Sequence, residues 1–133
     1  MRHDLLSTIA GGLLVLEGAG MAVLVVMQAG AIFGGDTAAV DTAVALLVLM
    51  SIAAAGVVAF GVAAARGRSW GRSGGIVTQL LILAVAAGAA TGAYAHPLLG
   101  LQLAIPAILT LVLLFAAVRR AAREADGSPD ASS

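Results

Sequence analysis

The chain reads as an all-α integral membrane protein, a bundle of four transmembrane helices with both termini on one side. Three observations predict this. Of its 133 residues, 61% are hydrophobic and only 11% charged, with a mean hydropathy of +1.06, whereas a soluble domain carries about 25% charged residues. The charges are clustered, leaving four apolar runs that can each cross a hydrocarbon core of about 30 Å at about 1.5 Å per residue. All seven basic residues are arginines, and four spans place every one of them on the same membrane face. Lipid offers the backbone no hydrogen-bond partners, so each span must be a helix or part of a closed barrel. The runs lack the alternating pattern of barrel strands.

The first span covers about 5–30. Arg2 and Ala29-Gly30-Ala31 imitate a signal peptide. The apolar run nevertheless exceeds the usual h-region of about 7–15 residues and is interrupted by Glu17, so it is expected to be retained. Gly34-Gly35-Asp36-Thr37 makes a polar turn, and Asp41 or Thr42 is positioned to cap the second span, about 40–65. The long polar stretch Ala65–Gly75, with three arginines and the sole tryptophan, divides the chain into two halves. A third span is expected over about 75–95, ended by His96-Pro97, because a residue before proline disfavours helix. Pro97 can open the fourth span, about 98–118, at its first turn. Residues 1–125 then form one transmembrane domain, and the polar tail 126–133 is expected to be disordered.

Arg66, Arg68 and Arg72 lie in the central stretch, and Arg119, Arg120 and Arg123 follow the last span. The opposite connections contain no Lys or Arg. The positive-inside rule puts both termini in the cytoplasm and the protein in the plasma (inner) membrane. Trp70 then falls at the inner boundary and Tyr94 at the outer one, the depths amphipathic rings prefer. The arginines and Trp70 read as topology determinants in contact with lipid headgroups, or as a docking surface for a cytoplasmic partner or anionic lipid. The glycines beside them lack the Gly-x-x-x-x-Gly-Lys pattern of a phosphate loop. A net charge of zero gives no bulk attraction for nucleic acid.

Membrane helices approach through small side chains. Ala84, Gly88 and Gly92 form such a stripe on the third span, Ala55, Ala59 and Ala63 on the second, and Gly18 and Ala22 on the first. They are expected to be packing grooves within the chain, with homo-oligomerisation through Gly88 and Gly92 as the alternative. Pro106 should kink the fourth helix by leaving the Gln102 carbonyl without its usual donor.

Glu17 is the residue best placed for chemistry. A charge near mid-membrane costs at least about 2.5–3.5 kcal/mol, which favours a buried, paired or protonated carboxyl. Leu13, Glu17, Gly20, Leu24 and Gln28 share one helical face, which should therefore point inward. By counted depth Ser51 and Thr110 lie near Glu17, and Gln79 lies closer to the cytoplasm. The absence of cysteine removes thiolate chemistry. His3 and His96 fall on opposite faces and cannot share a metal. With no catalytic set and no ligand spacing, neither enzyme activity nor a cofactor is expected.

Arg66-Gly67-Arg68-Ser69-Trp70-Gly71-Arg72-Ser73, running into Val77-Thr78-Gln79-Leu80-Leu81, resembles the small, functionally uncharacterised four-span membrane proteins of high-GC Gram-positive bacteria. That resemblance implies a plasma-membrane location and a structural or accessory role through a membrane or cytoplasmic partner. Gly11-Gly12-Leu13-Leu14-Val15-Leu16-Glu17 is similar in outline to the first helix of small multidrug resistance exporters. This second resemblance implies the alternative role of proton-coupled transporter, with Glu17 as the coupling residue. The exporters' aromatic pocket residues have no evident counterpart in the second and third spans, and the arginine bias here is one-sided.

Overall fold

A computed structural model describes residues 5–127. The described residues form four helices in antiparallel order, α1 (Leu5–Phe33), α2 (Val40–Ala65), α3 (Ser69–Thr91) and α4 (Pro97–Asp126), with no strand among them. All four are long and apolar enough to cross a membrane, and the protein is a multi-pass membrane protein. Arg2 and His3 lie outside the described residues, as does the tail beyond Gly127.

Glycine geometry fixes the ends of the first two helices. Gly67 adopts φ +74°, and its N–H bonds the Ala64 carbonyl while that of Arg68 reaches back to Ala63. This is the glycine-terminated helix cap in which a left-handed residue satisfies the last free carbonyls. Gly35, at φ +77°, ends α1 in the same way, with Gly35 bonded to Ile32 and Asp36 to Ala31. The cap at Gly67 turns the chain so sharply that α3 begins at Ser69 rather than at Gly75. Only Arg66, Gly67 and Arg68 remain as loop, and Trp70 and Arg72 belong to the first turns of α3. The guanidinium of Arg72 donates to the Gly67 carbonyl at 2.8 Å and closes the turn.

The other boundaries also move. α1 continues to Phe33, and α3 ends at Thr91 with Gly92 as its C-cap. The N-cap of α2 is Ala39, without a side-chain bond, so Asp41 sits inside the first turn instead of capping it. Pro97 occupies the first turn of α4 as expected. That helix passes through Pro106 unbroken and continues to Asp126, so Asp126 belongs to α4 and not to the tail.

The helices form two hairpins, α1–α2 and α3–α4, joined most closely at the arginine-bearing end. α1 presents Ser7, Gly11, Leu14 and Gly18 to the interior, and α4 presents Gly100, Ala107, Thr110, Leu114 and Ala117. These are the three- and four-residue steps of a buried seam. In the first hairpin a Cβ on Gly11 would lie 2.5 Å from the Gly61 carbonyl oxygen, and one on Gly18 would lie 2.5 Å from the Val58 side chain. In the second, a Cβ on Gly100 would lie 2.7 Å from the Ala86 oxygen. The hairpins meet where Gly71 abuts the backbone of Ala63 and Ala64, and where Gly74 lies under the Phe60 ring. Phe60 and Trp70 stack edge-to-face with centroids 5.9 Å apart. Ala10, Leu14, Val57, Ala64 and Leu114 form the core beside these contacts.

The stripes expected to pack the helices are only partly the ones used. Gly18 and Ala63 are buried, whereas Ala22, Ala55 and Ala59 are exposed. Ala84, Gly88 and Gly92 are all exposed, and a Cβ on Gly88 would meet nothing within 4 Å. This stripe therefore makes no packing groove within the chain. α3 turns a different face inward, carrying Gly71, Gly75, Gln79 and Ala86.

Candidate functional site

Glu17 lies on α1 one turn beyond the buried Leu14, where the tight core ends. Its carboxylate is held from two other helices. The Gln79 side-chain amide on α3 donates from Nε2 to Oε2 at 2.6 Å, and the Thr110 hydroxyl on α4 donates to Oε1 at 3.1 Å. Gln79 is 0% and Thr110 1% exposed, so both donors come from the packed interior. Three helices are thus tied through one carboxyl group.

Of the three polar residues whose depth was counted, Ser51 and Thr110 near Glu17 and Gln79 closer to the cytoplasm, two are placed differently by the structure. Ser51 does not reach it; its hydroxyl is exposed and bonds the Leu47 carbonyl of its own helix at 2.7 Å. A serine that satisfies itself on the preceding turn needs no partner across the bundle. Gln79 is deeper than expected because α3 starts early. Counted from Ser69 it lies about 15 Å along its helix axis, comparable to the roughly 18 Å that separates Glu17 from Leu5. The missed signal was the four-residue step Gly71, Gly75, Gln79, which becomes visible once the glycines are read as helix. Thr110 stands where depth counting puts it.

Away from these bonds Glu17 faces a cavity of about 940 Å³ between the two hairpins. Met21 and Leu24 of α1, Leu49, Met50 and Phe60 of α2, Leu81 and Val85 of α3, and Pro106 of α4 are among its walls. Leu49, Leu81 and Val85 are each more than half exposed although they line it, so the cavity opens sideways between the helices. Its walls are almost wholly apolar, and among the described residues Glu17 is the one ionisable side chain that lines it. Phe60 supplies an aromatic ring to the cavity wall from the second span.

The arginines stand apart from this site. Arg66 and Arg68 are exposed in the loop, and Arg119, Arg120 and Arg123 are exposed on the last turns of α4. Arg120 pairs with Glu124 at 3.5 Å. Trp70 is half exposed at the same end, while Tyr94 is exposed in the connection between α3 and α4. Among the described residues no three His, Cys, Asp or Glu side chains come together as a metal site would require. Comparison with known protein families, with curated proteins and with solved structures gives no match.

Proposed function

We propose that this protein binds apolar cations from the bilayer in the cavity between its hairpins, exchanging them for a proton on Glu17. The observation that carries this reading is a single carboxyl group on the wall of an apolar, laterally open cavity of about 940 Å³. An uncompensated charge in such a place is costly. A proton and an organic cation are two ways to neutralise the same group, so arrival of the cation drives the proton off. The apolar walls receive the hydrocarbon part of the ligand, and the Phe60 ring can face its positive charge. Gln79 and Thr110 hold the carboxyl in one orientation. In the plasma membrane, with both termini and the arginines on the cytoplasmic side, such exchange would make the chain a small proton-coupled transporter. Of the two roles considered from sequence, the transporter role agrees better with a carboxyl exposed to a cavity.

The test is uptake of tetraphenylphosphonium by proteoliposomes under a pH gradient, parent against Glu17→Gln. Proton-driven flux in the parent and none in the variant is expected. Absence of both flux and binding in the parent would remove this reading. Reporter fusions at Gly35, Gly67 and Ala95 should read outside, inside and outside; a cytoplasmic Gly35 would invert the orientation.

A second reading is an accessory protein that works through a membrane partner or another copy of itself. The exposed, unpacked face of α3 around Ala84 and Gly88 favours it, since such a face allows a neighbouring helix to approach closely.

A further inference from the structure

Gln79 carries an anomaly that its bond to Glu17 does not account for. Its side chain is fully buried, and its Oε1 atom has no hydrogen-bond partner. A buried polar atom left unpaired is costly and calls for a reason. Among the described residues the amide has one partner, Glu17, and no other group there fixes which way it is turned. We propose that Gln79 is a positioning residue whose amide turns over with the proton state of Glu17. This role rests on the proton exchange proposed for that residue.

The chemistry follows from what each state of the carboxyl requires. An ionised carboxylate only accepts hydrogen bonds, whereas a protonated one also has an O–H to donate. A primary amide offers N–H donors at one end and a carbonyl acceptor at the other in nearly the same shape. Toward an ionised carboxylate Gln79 presents Nε2, the atom that stands 2.6 Å from Oε2 of Glu17 in the structure. Toward the acid, a half-turn of the amide presents Oε1, which then accepts the proton's hydrogen bond. The separation is short for an N–H donor and ordinary for an O–H donor, so the same spacing serves both states without movement of the helices. The Thr110 hydroxyl can likewise donate or accept at the other oxygen. Among the described residues no other charged side chain lines the cavity. α2 faces the cavity with Ala53, Gly56, Val57 and Phe60, α3 adds Thr78, and α4 adds Ala107. The described arginines all lie at the helix ends.

The experiment is infrared difference spectroscopy of the full chain in lipid nanodiscs across a pH titration, with glutamine labelled at its side-chain carbonyl carbon. Gln28 and Gln102 are replaced by Asn so that the label reports Gln79 alone. The labelled amide band is expected to shift with the same midpoint as the carboxyl band of Glu17. In Gln79→Met the carboxyl band of Glu17 should shift in frequency, because the group loses one of its two hydrogen-bond partners. A carboxyl that titrates while the labelled amide stays still would overturn the role of Gln79 and leave proton exchange intact. If Glu17 does not titrate in the parent, proton exchange itself fails, and the role of Gln79 fails with it. The labelled parent decides the matter even if Gln79→Met does not insert.

Discussion

The two halves of the bundle are built on different principles. Toward the arginine-bearing end, glycines let backbones touch. Gly11 lies against Gly61, and Gly71 against Ala63 and Ala64. Beyond Glu17 the hairpins separate, and larger side chains such as Leu24, Leu49 and Val85 line a space instead of filling it. In water an open apolar cleft of this size would tend to close or to recruit a partner. In a bilayer it costs less, because lipid chains solvate its walls as well as other side chains would. The difference indicates that one half holds the bundle together and leaves the other half free to receive a ligand. Glu17 sits at the junction, bonded to the closed half and facing the open one.

The sharpest way to break this contrast is a pair of adjacent glycines. Gly11 touches the backbone of α2, whereas a Cβ on Gly12 would meet nothing within 4 Å. Gly11→Leu should therefore force α1 and α2 apart. It is expected to lower stability by about 3 kcal/mol or more, the upper end for overpacking, because the obstruction is main chain and cannot rotate aside. Gly12→Leu should be close to neutral. The check is thermal unfolding in detergent, with equal losses for both variants counting against the packing described.

Next in size is Glu17→Leu. It removes the acceptor shared by Gln79 and Thr110 and leaves two buried polar groups unpaired. A loss of about 2 kcal/mol is expected, within the usual cost of an orphaned buried donor. Glu17→Gln keeps a carbonyl and should lose much less. Similar unfolding temperatures for Glu17→Leu and Glu17→Gln would mean that the three-helix tie adds little to stability.

The helices themselves were legible in the sequence because lipid imposes one rule on the backbone and one length on the span. Their faces were harder to read. In a soluble helix the apolar stripe marks the inside, but here leucine is equally suited to lipid and to the core. Small-residue periodicity replaces it as a guide and is ambiguous. Gly18 is in the core, and Gly88, on an equally regular stripe, is not. Depth counting located Thr110 correctly but could not give Ser51, counted to the same depth, an azimuth. Gln79 was misjudged for a separate reason. A run of arginine, serine and glycine in the central stretch read as loop, although Gly71 and Gly74 are there for contact with α2 and Gly75 for contact with Leu14 and Leu114.

The open half allows a test in which binding changes and stability does not. Gly20 lines the cavity one turn beyond Glu17, and a Cβ there would meet nothing within 4 Å. Gly20→Leu should fold like the parent, its stability moved by no more than about 1 kcal/mol through helix preference. The new side chain would stand over the carboxyl and weaken tetraphenylphosphonium binding by about tenfold, equivalent to about 1.4 kcal/mol. Equilibrium dialysis measures it. Unchanged affinity would place the ligand elsewhere.

The smallest effect is expected at Gly88, and it bears on what covers the outside of α3. Ala84 and Gly88 form a smooth exposed strip, and a Cβ on Gly88 would meet nothing within 4 Å. If lipid alone lies against it, Gly88→Leu adds a side chain to a hydrocarbon surface and changes stability by no more than about 0.5 kcal/mol, as for most exposed substitutions. If a second copy or a membrane partner packs there, the same leucine holds the two backbones apart. Bundle stability would still be unaffected, but the assembly would dissociate. Unfolding temperature and sedimentation behaviour, measured on the same sample, distinguish these cases. A fall in the stability of the isolated monomer would instead mean that this strip packs against another helix of the same chain. The contrast between filled and open faces of α3 would then have to be redrawn.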